Sequence, residues 1–322
     1  MAFPILIVIF AITARPGDVA LPVPRFEKGQ EIPFVGEIVD ESTRPGQSYR
    51  NVYTLNVRWL VLEANDKRID LAVLTSITPK SNPEILAASK LISGANAVSA
   101  KSTVRVDLVR MEENGSIRLL AIPSILPPFS LSAEHRLNPL PALPLSGPAF
   151  VEWGMIPPKK LGRDDGEREW IRSTDESWNG GRVLDLSSTR SSKDFDNLAA
   201  AVAGWRRVER LYLSPTDGLP RSYARRIVQR EGKSIVTTVD VRLEMKAPIP
   251  AGDAISIRHN RREAESAAWF AAEWERISTE GNKLDPRAAQ ALKAKISQYL
   301  VDHQPPTSFR PAIEAVASQV RE

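Results

Sequence analysis

The stretch Ser234-Ile-Val-Thr-Thr-Val-Asp-Val-Arg-Leu-Glu-Met-Lys246 decides the reading of the fold. Ile235, Val239, Val241, Leu243 and Met245 fall on one parity, and Thr238, Asp240, Arg242, Glu244 and Lys246 fall on the other. Successive side chains of a strand point to opposite faces, so the run reads as one long strand with an apolar face and a wet face. Such a strand belongs in an antiparallel sheet solvated on one side. Arg207 to Leu213 and Arg221 to Gln229 also have strand composition. The turn-forming segments Ser214-Pro-Thr-Asp-Gly-Leu-Pro220 and Glu231-Gly-Lys233 separate the three, which makes them a meander whose apolar face the rest of the chain covers.

Toward the N-terminus, Ile32 to Val39 reads as a strand ending in the turn Ser42-Thr-Arg-Pro-Gly46. Tyr53, Leu55, Val57, Trp59 and Val61 then share a parity, and the polar turn Asn65-Asp-Lys-Arg68 leads into Ile69 to Thr75, which completes a hairpin. Asn82 and Pro83 are cap and first position of a short helix over Ile85 to Ile92. Val104 to Met111 and Ser116 to Ile122 flank Glu113-Asn-Gly115, a hairpin signal because both Asn and Gly tolerate positive φ. Seven prolines between Pro123 and Pro148 block both helix and ladder and mark a boundary. Asn179-Gly-Gly181 offers hairpin chemistry again before Arg182 to Leu186.

Beyond Pro250 the period changes. Ala264, Ala267, Ala268, Ala271, Trp274 and Ile277 step by three and four, the stripe of an amphipathic helix from about Asn260 to Thr279. Asp285-Pro286 opens a second helix with Leu292, Ile296 and Leu300 inward, and Pro311 to Val320 forms a third. The fold class is therefore α+β: two antiparallel β-rich modules joined by a proline-rich segment, with a C-terminal helical segment. The divisions fall at 1–20 for a signal peptide, 21–122 and 149–250 for the β modules, 123–148 for the linker and 251–322 for the helices.

At 322 residues the chain exceeds the usual span of one core. Its 43 basic and 39 acidic residues leave a net charge of +4, too diffuse for a dedicated nucleic-acid binder. The lack of cysteine excludes disulfides, thiolate metal sites and cysteine nucleophiles. Phe3 to Ile12 has the length of a signal-peptide apolar region, with Ala14 or Ala20 as cleavage position, and the competing reading is a buried N-terminal strand. No later segment has the apolar length of a membrane helix.

The sequence carries no signature of a cofactor or metal. His135, His259 and His303 stand apart from one another and from carboxylates at ligand spacing, and no nucleophile elbow, Walker loop or dinucleotide fingerprint is present. Asp164, Asp165, Glu167 and Glu169 fail the calcium-loop pattern around Gly166 and read as a solvated loop. One basic concentration remains, Arg206, Arg207, Arg210, Arg221, Arg225, Arg226, Arg230 and Lys233. Within it Arg221, Arg225 and Arg226 are the candidate anion-binding residues, since guanidinium groups suit phosphate, sulfate or carboxylate. The plainer reading is the wet face of a sheet, and the parity of Arg225 and Arg226 sends these two to opposite faces.

The run Phe150-Val-Glu-Trp-Gly154, the opening Trp205-Arg-Arg207, Leu211-Tyr-Leu-Ser-Pro215 with Gly218, and the ending Pro305-Pro-Thr-Ser-Phe-Arg310 resemble an uncharacterised family of exported planctomycete-type bacterial proteins. The resemblance implies a periplasmic or secreted location and brings no catalytic residues with it. The expectation is an exported, non-enzymatic envelope module that binds or scaffolds a protein, polymer or lipid. The alternatives are a hydrolase using loop carboxylates and a half-barrel that cradles a lipid.

Overall fold

The computed structural model describes residues 21–22, 24–65, 68–80, 103–112, 117–119, 162–164, 168–172, 176–179, 181–193, 195–196, 204–231, 235–279, 285–303 and 309–320. The apolar run Phe3 to Ile12, the helix over Ile85 to Ile92 and the proline-rich segment 123–148 lie outside these residues. The described strands are β1 (Glu31–Arg44), β2 (Gln47–Asn65), β3 (Arg68–Pro79), β4 (Thr103–Glu112), β5 (Ile117–Leu119) and β6 (Gly162–Asp164). They continue with β7 (Arg168–Arg172), β8 (Glu176–Trp178), β9 (Gly181–Ser191), β10 (Gly204–Leu213), β11 (Pro220–Glu231) and β12 (Ile235–Met245). Three helices follow, α1 (Ala254–Thr279), α2 (Pro286–Asp302) and α3 (Arg310–Gln319).

All pairing is antiparallel, in the order β5-β4-β3-β2-β1-β12-β11-β10-β9-β7-β6, with β8 alongside β9. The meander is β10 to β12, and the N-terminal hairpins are β1 to β5. The two β-rich segments meet in one sheet, because β1 runs along β12 from Phe34 opposite Met245 to Thr43 opposite Val236. Turn chemistry sets the registers. Arg44 pairs with Gln47 around Pro45-Gly46, where Gly46 holds φ +75, and Trp178 pairs with Gly181 around a turn in which Asn179 holds φ +48. Of the acidic cluster, Asp164 ends β6 and Glu169 lies in β7, with Arg163 paired to Glu169 and Asp164 to Arg168, while Asp165 and Glu167 lie outside the described residues.

Paired residues in an antiparallel ladder point to the same face, so strand parity and register together assign each side chain. One face carries Phe34, Ile38, Tyr53, Leu55, Val57, Trp59, Leu71, Val73, Leu211, Tyr223, Val239, Val241 and Leu243, all buried in one cluster that reaches Trp170 on β7. Phe34 and Trp59 meet with ring centroids 4.8 Å apart. Leu60, Leu62, Ala72, Leu74, Val106 and Leu108 have the other parity and pack against the helices in a second cluster. The small residues Ala264, Ala267 and Ala268 bring α1 close to β4. Among the described residues no helix side chain belongs to the first cluster.

Helix α1 begins at Ala254, six residues before the start at Asn260 that the apolar stripe suggests. Asp253 is its cap, accepting from Ser256 N at 2.6 Å, a signal hidden behind Pro250. Asp285 caps α2 as its sequence predicts, accepting from the backbone of Arg287 and Ala288. Leu292 and Ile296 are buried and Leu300 partly so. Among the described residues no helix is long and apolar enough to cross a membrane.

Candidate functional site

The inner face changes character along the strands. At one end a ladder row holds Ile32, Trp59 and Val73, the next Phe34, Val57, Met245 and Thr75, and the one after it Gly36, Leu55, Leu243, Tyr223, Leu211 and Leu186. The next rows bring Ile38, Val241, Arg225, Glu209 and Ser188 into line, and then Asp40, Asn51, Val239, Ile227, Arg207 and Arg190. The last row holds Ser42, Thr237, Gln229 and Trp205, with the Ser42 and Thr237 hydroxyls 3.2 Å apart. From Phe34 to Ser42 this gradient from apolar to polar extends about 27 Å at the usual rise per residue. Asp107 on β4 and Thr75 on β3 are buried polar exceptions toward the apolar end.

Charge concentrates where β9, β10 and β11 adjoin. Glu209, Tyr223 and Arg225 are 1%, 1% and 3% exposed. Tyr223 Oη donates to Glu209 Oε1 at 2.7 Å. Arg207 Nε lies 3.1 Å from Glu209 Oε2, an ion pair without hydrogen-bond alignment. Arg225 stands directly opposite Glu209 in the ladder, and Arg190 stands directly opposite Arg207. Ions removed from water require compensation, which Tyr223 and Arg207 supply to the Glu209 carboxylate.

Asp40 lies in the same row as Arg207, on the far side of the seam. It is fully buried, and neither carboxylate oxygen makes a well-aligned hydrogen bond. Burial pushes its carboxyl up from 3.8 to about 6; Asn51, opposite on β2, works against that shift and Glu41 adds to it. A raised acid pKa favours folding at low pH, and the penalty builds as pH rises from about 4 to about 6 and persists above. Asp40→Asn is therefore expected to stabilise the protein at pH 7.5 by on the order of 1–2 kcal/mol, discounted for screening, and to change little at pH 4. Urea denaturation of both proteins at the two pH values checks this, and an equal difference at both would contradict it.

The three sequence-level candidates do not converge. Arg225 is buried on the inner face, while Arg226 is exposed on the outer face and forks onto Asp240 at 2.7 and 2.8 Å. Arg221 sits at the apolar end, bonded to Asp217 at 2.7 Å with Met245 Sδ beside it. The other arginines of the basic run divide the same way. Arg210 forks onto buried Asp185, Arg206 onto Asp196, and Phe195 lies between Arg206 and Arg230, with each guanidinium within 5 Å of the ring centre (4.2 and 4.9 Å). The outer face is thus a lattice of ion pairs. Arg190, Glu209 and Asp40 have no place in the sequence-level site, although Glu209 and Asp40 share a parity with buried apolar neighbours, a signal visible in the sequence.

A concavity of about 530 Å³ opens between α1 and α2 beside Trp269, Phe270 and Tyr299. Its polar groups are already engaged. Lys295 lies over the Trp269 ring at 5.3 Å, and Tyr299 stacks on His303 at 4.0 Å and donates to buried Glu263 at 2.7 Å. The Tyr299 hydroxyl is pushed up to about 12, chiefly by burial. His135 lies outside the described residues, and His259 is half-buried near the start of α1.

No family model matches the chain, and no curated protein matches it. Among solved structures, one of lipovitellin, titled for its lipid–protein interactions, aligns with 91% of this chain at 8% identity and a TM-score of 0.35. The chain spans only 40% of that one. A putative outer membrane lipoprotein-sorting protein domain from Vibrio parahaemolyticus aligns over 72% of this chain and 91% of its own, with 7% identity and a TM-score of 0.17. A DUF1329 family protein from Desulfovibrio piger aligns over 69% and 86%, with 11% identity and a TM-score of 0.16. At these TM-scores the likenesses carry no argument about this chain.

Proposed function

We propose that the protein is an exported envelope module, not an enzyme, that binds a lipid-like amphipathic molecule along the inner face of its sheet. The observation that carries this is the gradient on that face, from Trp59 and Val73 at one end to Arg207, Arg190, Asp40 and Ser42 at the other. A surface graded in one direction complements a molecule graded in the same way, while a purely structural core would gain nothing from burying ions. The resemblance to exported bacterial proteins and the apolar run Phe3 to Ile12 support the location.

A carboxylate hydrolase fits less well. Asp40 and Asp107 share the inner face but lie eight positions apart along the strands, about 27 Å, where paired hydrolytic carboxylates stand about 5–9.5 Å apart. Glu209 is engaged by Tyr223 and Arg207.

The test is binding of a fluorescent long-chain fatty acid to the purified full chain, followed by competition with unlabelled amphiphiles. Saturable binding below the probe's critical micelle concentration is expected. Absence of saturable binding of the probe, together with no copurifying lipid in native mass spectra of protein from its own host, would sink the proposal.

A further inference from the structure

The segment that leaves the sheet for the helices forms a corner of its own character. It reads Lys246-Ala-Pro-Ile-Pro-Ala-Gly-Asp-Ala-Ile-Ser-Ile-Arg-His-Asn-Arg-Arg262, with four cations and one acid. We infer that this corner docks on an anionic lipid bilayer, with Ile249 and Ile255 entering the headgroup boundary and Lys246 and Arg258 meeting lipid phosphates. The surface is separate from the inner face of the sheet and does not rest on the binding role proposed above.

Both isoleucines stand out into solvent, Ile249 at 51% and Ile255 at 72% exposure. Ile249 bridges to Glu31, which is itself opposite Leu60, so it lies on the outer face of the sheet. Ile257 lies against Gly29, so close that a Cβ there would meet its side chain at 2.5 Å. Two residues back along a helix is about 200° around its axis, which turns Ile255 away from that contact. Arg258 and Arg262 follow Ile255 at steps of three and four and share its side of α1. Lys246 keeps the outer parity of Arg242 and Glu244, and its backbone N–H donates to the Pro33 carbonyl at 2.8 Å.

Lys246 and Arg258 are exposed and have no carboxylate partner among the described residues; the Arg258 guanidinium donates to the Ala254 carbonyl. The acids around the corner are engaged: Asp253 caps α1, Glu31 holds Arg58 at 2.7 Å and Glu63 holds Lys28 at 2.9 Å. Glu27 and Glu244 are exposed, but cations flank each in sequence, Arg25 and Lys28 for the first and Arg242 and Lys246 for the second. Neither isoleucine lines the concavity between α1 and α2. Aliphatic side chains that project in this way give a folded partner little to grip, since a stable protein interface buries about 800 Å² per side. A fluid surface closes around them, and apolar tips beside exposed cations match the boundary where acyl chains meet anionic headgroups.

The test is flotation of the purified full chain with vesicles of phosphatidylcholine alone or with about one-third phosphatidylglycerol. Binding is expected only with the anionic lipid. Ile249→Ser and Ile255→Ser should each weaken it about tenfold, and Lys246→Gln and Arg258→Gln each about fivefold. Denaturation midpoints should not change, because all four residues are exposed. The chain has no cysteine, so Ala254→Cys can carry a single polarity-sensitive dye. Its emission should shift to the blue on the anionic vesicles and be quenched by nitroxide lipids. Ala291→Cys is the control and should show neither effect. Tyr299 reaches Glu263 and Lys295 reaches Trp269, so α2 runs back along α1 and Ala291 lies beyond Trp269, roughly 22 Å or more from Ala254 along that helix.

Absence of flotation with the anionic lipid would overturn the proposal. So would flotation that both serine variants retain in full without a blue shift, which is adsorption by charge alone. Binding of soluble polyglutamate that anionic vesicles do not displace would assign the corner to an acidic protein instead. None of these results bears on the inner face, which the fatty-acid probe reads separately.

Discussion

Gly36→Ala is expected to split the sheet at its seam. Gly36 sits in β1 opposite Leu243 of β12, where the backbones come so close that a Cβ would be driven into the carbonyl oxygen of Arg242. The obstacle is main chain and cannot rotate aside, so one strand must move away from the other. Expected destabilisation is about 3 kcal/mol or more, at the upper end of overpacking effects, because a ladder as well as a contact is lost. Gly46→Ala provides the control: φ is +75 but the space around it is open, so only the backbone penalty of roughly 1 kcal/mol applies. Urea denaturation ranks the two, and amide exchange should show β1 and β12 losing protection together in the Gly36 variant. A Gly36 variant no less stable than the Gly46 variant would show that the seam tolerates separation.

Glu209→Ala should be nearly as damaging for an electrostatic reason. Removing this buried carboxylate takes from Arg207 its ion-pair partner and from Tyr223 its acceptor in a low-dielectric environment, a change that costs about 3–5 kcal/mol where buried pairs are broken from one side. Tyr223→Phe removes only the hydroxyl donor to a charged acceptor and should cost about 1.5–3 kcal/mol. Asp240→Ala breaks the exposed fork with Arg226 and should cost no more than about 1 kcal/mol. The predicted order is Glu209, then Tyr223, then Asp240; equal denaturation midpoints for the Glu209 and Asp240 variants would refute a buried charge network.

Local pattern revealed much of this architecture. The parity of Val239, Val241 and Leu243, the hairpin turn at Asn179 and the Asp285-Pro286 cap are short-range statements that a strand, hairpin or helix writes into neighbouring residues, and the structure has them where the pattern puts them. Parity also separated Arg225 from Arg226. The joining of β1 to β12 left no such trace, because Ser42 and Thr237, which touch across it, are 195 residues apart. The inner-face patch was hidden for the same reason. Arg207, Glu209 and Arg225 are ordinary within their own strands, and only the register between strands brings Glu209 opposite Arg225 and Arg190 opposite Arg207.

The seam also has a history in time. As the chain emerges during synthesis, β1 finds β2 within a turn of three residues or fewer, but its other edge has no partner until β12 has followed. For that interval the molecule carries an open row of backbone donors and acceptors beside an apolar face, the condition under which strands pair with the wrong chain. Closing so long a loop also makes a late, slow step. A chaperone that shields the edge of β1 until β12 has been made would decide how much of the product reaches the native sheet.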